Sequence, residues 1–255
     1  MSDPIVYGFP RSTFVNIVRL VLTHKDVPYV SHDLETVMGE PEHLALHPFN
    51  RVPILRHGDF VVYETSAIVT YVDEAFEGPR LTPQDVRARA RMNQWISAVN
   101  SYYYTYMIYL VTHQRLLFPE LGIASDEKVV VHALPKVELG LTVVERELSH
   151  GQHYLLGSEL SLADFYLLPS TSAFSLTEEG RQLYPKFPAF CRWREGMENL
   201  PATSKLRAAM ERKTTKYARE SGEISAAELL NWKQHEHIWS RHQYLAECAL
   251  ARLSY

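Results

Sequence analysis

Apolar positions in the first part of the chain come in short runs broken by glycine, proline and polar clusters. Ile5-Val6-Tyr7 is a β-type run ended by Gly8 and Pro10, and Phe14, Val15, Ile17, Val18, Val21 and Leu22 then recur at helical spacing over residues 12–25. Residues 27–32 predict a second strand, and 41–46 a short helix with proline in its first turn. Residues 52–55 and 60–63 predict two strands joined by a turn at His57-Gly58-Asp59, and 64–76 a helix. The order β-α-β-α-β-β-α describes a small mixed sheet with helices.

Gly78-Pro79-Arg80-Leu81-Thr82-Pro83 is a linker signal, and the pattern beyond it is helical. The spacing predicts helices over 84–118, 126–149, 161–176, 187–199 and 202–218, with one more amphipathic helix over 225–252. The expected organisation is an α/β domain at 1–77 and an all-helical domain at 84–255, whose extra C-terminal helix starts at about 220. That last stripe needs a partner surface, because an isolated helix is marginal in water. The expectation is a lid over part of a ligand pocket, with packing elsewhere on the helical domain or on a second subunit as alternatives.

Charge narrows the partners. Lys plus Arg is 26 against 30 Asp plus Glu, a net charge of −4, which argues against nucleic acid as the main partner. There are two cysteines in the 255 residues, Cys191 and Cys248, too few for a disulfide framework. A reducing compartment is the simpler reading. Met1-Ser2-Asp3-Pro4-Ile5 shows no basic segment leading into an apolar one, and no apolar run approaches the roughly 18 residues that span a bilayer. The expectation is a cytoplasmic protein without a membrane partner. His235, His237 and His242 match no metal spacing, so no metal is expected.

Four places carry candidate chemistry, each with a structural alternative. Ser12-Thr13 opens the first helix: an N-cap, or a hydroxyl that donates to a thiolate at the positive end of the helix dipole. Val52-Pro53 opens a strand: an ordinary strand-starting proline, or a cis bond that turns the Val52 backbone toward an extended peptide. Glu64-Thr65-Ser66 sits between strand and helix: a cap, or a site where backbone N–H groups take a carboxylate and Glu64 takes an amine. Tyr102, Tyr106 and Tyr109 share a face of an α-helix: core, or a wall for planar apolar ligands. Ser161-Leu162-Ala163-Asp164 has capping-box spacing and reads as structural.

The order of these pieces resembles the glutathione transferase superfamily. Gly8-Phe9-Pro10-Arg11-Ser12-Thr13 is similar to the active-site segment of its serine-type classes, the phi class above all. The segment from Pro41-Glu42-His43-Leu44 through His47-Pro48-Phe49-Asn50-Arg51-Val52-Pro53 resembles that class's cis-proline loop. Tyr63-Glu64-Thr65-Ser66-Ala67-Ile68 resembles the γ-glutamyl turn, and Leu160 to Asp164 the helical domain's capping box. The match runs from about residue 4 to about 210.

The resemblance implies a thioredoxin-like N-terminal domain and an all-α C-terminal domain. It implies a transferase, of the kind used in detoxification, that ionises glutathione as co-substrate for attack on a small hydrophobic electrophile. Peroxide reduction or thiolysis uses the same thiolate. By that resemblance Ser12 donates to the sulfur, Val52 beside Pro53 pairs with the cysteinyl backbone, Glu64 and Thr65 hold the γ-glutamyl end, and Arg51 lies near the glycine end. Phe14, Tyr102, Tyr106 and Tyr109 are the candidate electrophile pocket, and a homodimer with Phe49 as a contact is implied. The alternative is a non-catalytic relative that binds a ligand or a protein. Three features depart from the pattern: Glu40 in a loop without a basic residue, Asn50 where relatives have glycine, and the extension after about 210.

Overall fold

The computed structural model describes residues 2–34 and 37–209. The segment expected as a C-terminal helix from about 220, with its histidines and Cys248, lies outside them.

Four strands form one sheet, ordered β2-β1-β3-β4: β1 is Ile5–Tyr7, β2 Val30–His32, β3 Ile54–His57 and β4 Phe60–Tyr63. β1 runs parallel to β2 and antiparallel to β3, and β3 is antiparallel to β4. Strand β2 starts at Val30, later than its apolar run predicts. The Val27 N–H is already spent on the Leu22 carbonyl, and Pro28 has no N–H to offer. Helix α1 is Thr13–His24, α2 is Pro41–Leu46 and α3 is Thr65–Ala75.

Alternation along β3 assigns the two faces of the sheet. Val6 and Leu55 join Val15, Val18, Ile68 and Val72 of α1 and α3 in the main core. Tyr7 and Ile54 point the other way, into a small cluster with Leu34, Met38, Leu46 and Val52.

The helical part begins with α4, Val86–Ala98, capped by the Asp85 carboxylate, which accepts from the Ala88 N–H at 2.9 Å. The single helix expected over 84–118 changes type within this stretch. Val99–Leu117 is a 19-residue π-helix that closes into a short α turn, α5, Phe118–Glu120. Its wider turn shows in the Phe118 N–H bonding to the His113 carbonyl, five residues back.

Helices α6 (Glu127–Leu148), α7 (Leu162–Phe174), α8 (Glu178–Leu183) and α9 (Pro188–Glu198) follow, with a 3₁₀ turn at Tyr184–Lys186. Residues 201–209 are again helical. Helix α7 is apolar nearly all round and almost wholly buried, packed between α1, α4 and the π-helix.

Its N-terminus is held by Asp164. That carboxylate accepts from the N–H and hydroxyl of Ser161, the Leu155 N–H and the Trp193 Nε1–H, all at 2.9–3.0 Å. Among the described residues, no helix is long and apolar enough to cross a membrane. Nor is any group of three or more His, Cys, Asp or Glu side chains there placed to hold a metal ion.

Candidate active site

The sheet register gathers the candidate segments at one end. Tyr7 pairs with Ile54, and Ile54 pairs with Tyr63, so the three residues form one row across β1, β3 and β4. Because β3 runs against its neighbours, the chain leaves β1 toward Ser12, enters β3 from Val52-Pro53, and leaves β4 into Glu64, all at the same edge. Segments far apart in sequence thus emerge side by side.

The loop into α1 is fixed by packing and hydrogen bonds. A Cβ on Gly8 would lie 2.3 Å from Val15 Cγ2, so only glycine fits where the loop crosses the helix. Asn16 Nδ2 donates to the Pro10 carbonyl at 2.9 Å and the Ser12 N–H to Phe9 O at 3.3 Å. Ser12 is the N-cap of α1: its Oγ accepts from the Val15 N–H at 3.4 Å. The cap uses Ser12 only as an acceptor, which leaves its O–H free to donate. Thr13 is buried, at 8% exposure, while Ser12 stays partly accessible. The capping reading of Ser12 holds, and the geometry of the cap is compatible with the chemical one.

The Val52-Pro53 bond is cis. Asn50 before it has φ +53°, the left-handed region that asparagine tolerates. This explains how asparagine can stand at a position where the resemblance expects glycine. Arg51 is exposed, and its charge acts on both His47 and Tyr104.

Glu64 ends β4 and precedes α3 with φ +69° and ψ 117°, a strained conformation that costs on the order of 1–3 kcal/mol. Its carboxylate makes no capping bond and faces solvent, whereas Thr65 is buried at 7% exposure. Strain of this kind concentrates at ligand clamps.

The aromatic wall differs from the one that α-helical spacing predicts. Tyr102 is half exposed, at 51%, and Tyr106 is buried in the core. The ring that meets Phe14 is Tyr104, with centroids 4.4 Å apart. Tyr109 follows Tyr104 at 6.4 Å and His113 follows Tyr109 at 5.3 Å. Steps of five and four residues are what a π-helix lines up, so the face moves from 102-106-109 to 104-109-113. Burial raises the Tyr104 hydroxyl to about 12 despite the nearby Arg51, and burial lowers His113 to about 4. Both groups are neutral at pH 7.

Arg11, just before Ser12, forms an ion pair with Glu120 of α5 and so ties the loop into α1 to the helical part. His43 and His47 are buried beside the Arg51 segment. Their spacing of four residues in the sequence was the signal that could have singled them out. Asn16, one turn below Ser12, had no such signal.

Residues 6–80 match the family model "Glutathione S-transferase, N-terminal domain", and residues 99–201 match "Glutathione S-transferase, C-terminal domain". The chain is 33% identical over 165 residues to Glutathione S-transferase F10 of Arabidopsis thaliana, spanning 62% of this chain and 76% of that one. It is 33% identical over 217 residues to Glutathione S-transferase 3 of Zea mays, spanning 82% and 96%. Among solved structures, glutathione S-transferase I from mais in complex with an atrazine glutathione conjugate superimposes with a TM-score of 0.75. It shares 27% identity, over 82% of this chain and 99% of that one.

Proposed function

The chain belongs to the glutathione S-transferase family, and we propose that it ionises glutathione through the Ser12 hydroxyl for attack on small hydrophobic electrophiles. One observation carries this reading: the Tyr7-Ile54-Tyr63 row places the Ser12, Val52 and Glu64 segments along a single edge. An extended γ-glutamyl tripeptide fits such an edge. Its cysteinyl backbone pairs with Val52 beside Pro53. Its α-carboxylate meets the first turn of α3 at Thr65, its amine meets Glu64, and Arg51 supplies the positive charge for the glycyl carboxylate.

The thiol then lies at the start of α1. A free thiol with pKa near ~8.5 is only a few per cent ionised at pH 7. One charge-assisted hydrogen bond from Ser12 together with the helix dipole stabilises the thiolate by roughly 2–3 kcal/mol. That equals roughly two pKa units, enough to make thiolate the major form. The electrophile sits against Phe14, Tyr104 and Tyr109, which hold it near the sulfur and supply the gain from proximity. A planar aromatic acceptor suits that wall, in keeping with the atrazine conjugate bound by the maize relative.

The assembly we propose is a homodimer in the cytoplasm. Phe49 supports the dimer: it is 67% exposed yet braced by the rings of Tyr63 and His47 at 6.1 and 6.3 Å. The function is tested by retention on immobilised glutathione and by conjugation to an activated aryl chloride. The expected result is saturable turnover in both substrates. Retention without turnover would favour a binding module, and neither would remove the glutathione reading.

A further inference from the structure

Helix α2 carries His43, whose side chain is 2% exposed and uses both ring nitrogens. Its Nδ1 lies 3.1 Å from the Gly39 backbone nitrogen. A backbone N–H can only donate, so Nδ1 is the acceptor and the ring proton is on Nε2. Nε2 lies 2.9 Å from the Arg51 carbonyl oxygen and donates to it. The imidazole thus bridges the two ends of the 39–51 segment.

The peptide unit it grips is the one that joins Arg51 to Val52. In a planar trans peptide the C=O and the N–H point in opposite directions. Fixing the Arg51 carbonyl against His43 therefore fixes the Val52 N–H on the opposite side. A carbonyl that accepts a hydrogen bond also polarises its own amide and strengthens the N–H as a donor. His47, one turn on, ties this segment to the end of β4: its ring packs against that of Tyr63 at 4.6 Å, one residue before Glu64.

We propose that His43 is a positioning residue for glutathione, whose Nε2–H holds the Arg51 carbonyl and thereby aims the Val52 N–H at the cysteinyl carbonyl of the tripeptide. The inference rests on the reading that Val52 pairs with that backbone. It accounts for a buried imidazole where leucine would fill the same space without needing two partners.

Two substitutions separate the bridging bonds. His43→Gln carries an amide N–H at about the reach of Nε2 and keeps the donor to Arg51. His43→Asn carries an acceptor at about the reach of Nδ1, keeping Gly39 and losing Arg51. The expected result is a glutathione KM within about twofold of wild type for His43→Gln and about three- to tenfold higher for His43→Asn, the range that one hydrogen bond is worth. At saturating glutathione kcat stays within about twofold in both, because the thiolate is stabilised at Ser12. Equal KM effects in the two variants, whether present or absent, would overturn the proposal and leave the ring a packing element. A wild-type protein with no saturable glutathione dependence would overturn the parent reading as well. The tautomer is checked on the unsubstituted protein by long-range ¹H–¹⁵N correlation of the imidazole. An Nε2–H ring is expected, and an Nδ1–H ring overturns the proposal even if neither variant folds.

Discussion

Phe14 of the first helix and Tyr104 of the π-helix lie with ring centroids 4.4 Å apart and planes 33° from parallel. This contact joins the first helix to the aromatic face of the π-helix, which in the proposed function are the thiol and electrophile sides of the site. Tyr104→Ala should therefore lower kcat/KM for an activated aryl chloride by about tenfold, through lost aromatic surface and orientation. Tyr102→Ala should change it less than about twofold, since that ring is half exposed. The reverse ranking, read from steady-state kinetics, would restore the α-helical face.

Ser12→Ala should lower turnover by at least about tenfold while the glutathione KM moves much less. In the proposed mechanism the hydroxyl acts on the thiolate and not on the tripeptide as a whole. The pH–rate profile should shift alkaline by about one to two units, the equivalent of one charge-assisted bond. Thr13 is the neighbouring hydroxyl, but it is buried. Thr13→Ala is expected to keep the wild-type profile, and an alkaline shift in that variant alone would reassign the donor.

The two predictions mark what the residue pattern could and could not disclose. The strand and helix order through Ala75 was legible because Gly8, Pro10, Pro41 and Gly58 punctuate short apolar runs. The N-cap at Ser12 was legible because capping is local. The cis bond at Pro53 was one of two open readings of Val52-Pro53, and only the family resemblance favoured it. The aromatic face was not, because tyrosines at 102, 103, 104, 106 and 109 satisfy several helical periods. Only the backbone hydrogen bonds choose i+5. Helix α8 went unread because six residues are too few for a period and, unlike the equally short α2, it has no proline in its first turn to mark it. Asp164 was legible as a capping residue, yet its bonds to Leu155 and Trp193 belong to tertiary structure that no local motif encodes.

Acid should destabilise the fold through buried neutral histidines. His47 is lowered to about 4 by burial and by the nearby His43 and Arg51, and His113 to about 4 by burial; His24 is lowered by burial and by Lys25. Their unfolded values are near ~6.5. Between about pH 6.5 and 4 the unfolded chain therefore binds more protons than the folded one, and stability falls as pH falls. Burial raises the Asp164 carboxyl, an opposite contribution from a single group. The expected loss from pH 7 to 4.5 is at least about 2 kcal/mol, followed as the urea midpoint. His113→Phe should flatten the dependence, and an unchanged slope in that variant would remove its share.

Phe49→Ser should weaken self-association without changing the monomer's fold. The ring is exposed but set edge-on against Tyr63 and His47, so it presents a fixed apolar surface at low entropic cost. Sedimentation should show a dimer for the wild type at micromolar concentration and a shift toward monomer for the variant. A wild-type monomer under those conditions would contradict the dimer.

The linker between the two halves is fastened by one buried ion pair. Lys25 Nζ and Asp73 Oδ1 are 3.2 Å apart, with side chains 1% and 0% exposed. Lys25 also donates to the Pro79 carbonyl at 3.1 Å, while Asp73 accepts from the N–H groups of Leu81 and Thr82 at 3.0 and 2.9 Å. The linker is thus strapped to the ends of α1 and α3, and the Leu81 carbonyl accepts onward from the Leu162 N–H of α7. Removing one partner of a buried pair typically costs about 3–5 kcal/mol, because the other charge stays buried and uncompensated. Lys25→Met should fall at the low end of that range, since two backbone donors still serve Asp73. Asp73→Leu should fall at the high end, since it strands an ammonium and two linker N–H groups together. The Lys25→Met/Asp73→Leu double variant relieves the stranded ammonium but not the two N–H groups. Its stability should lie between the single variants and remain below that of the wild type. Equilibrium urea unfolding followed by tryptophan fluorescence distinguishes the cases. A double variant as stable as the wild type would show that the pair acts only as charges and that the linker does not depend on Asp73.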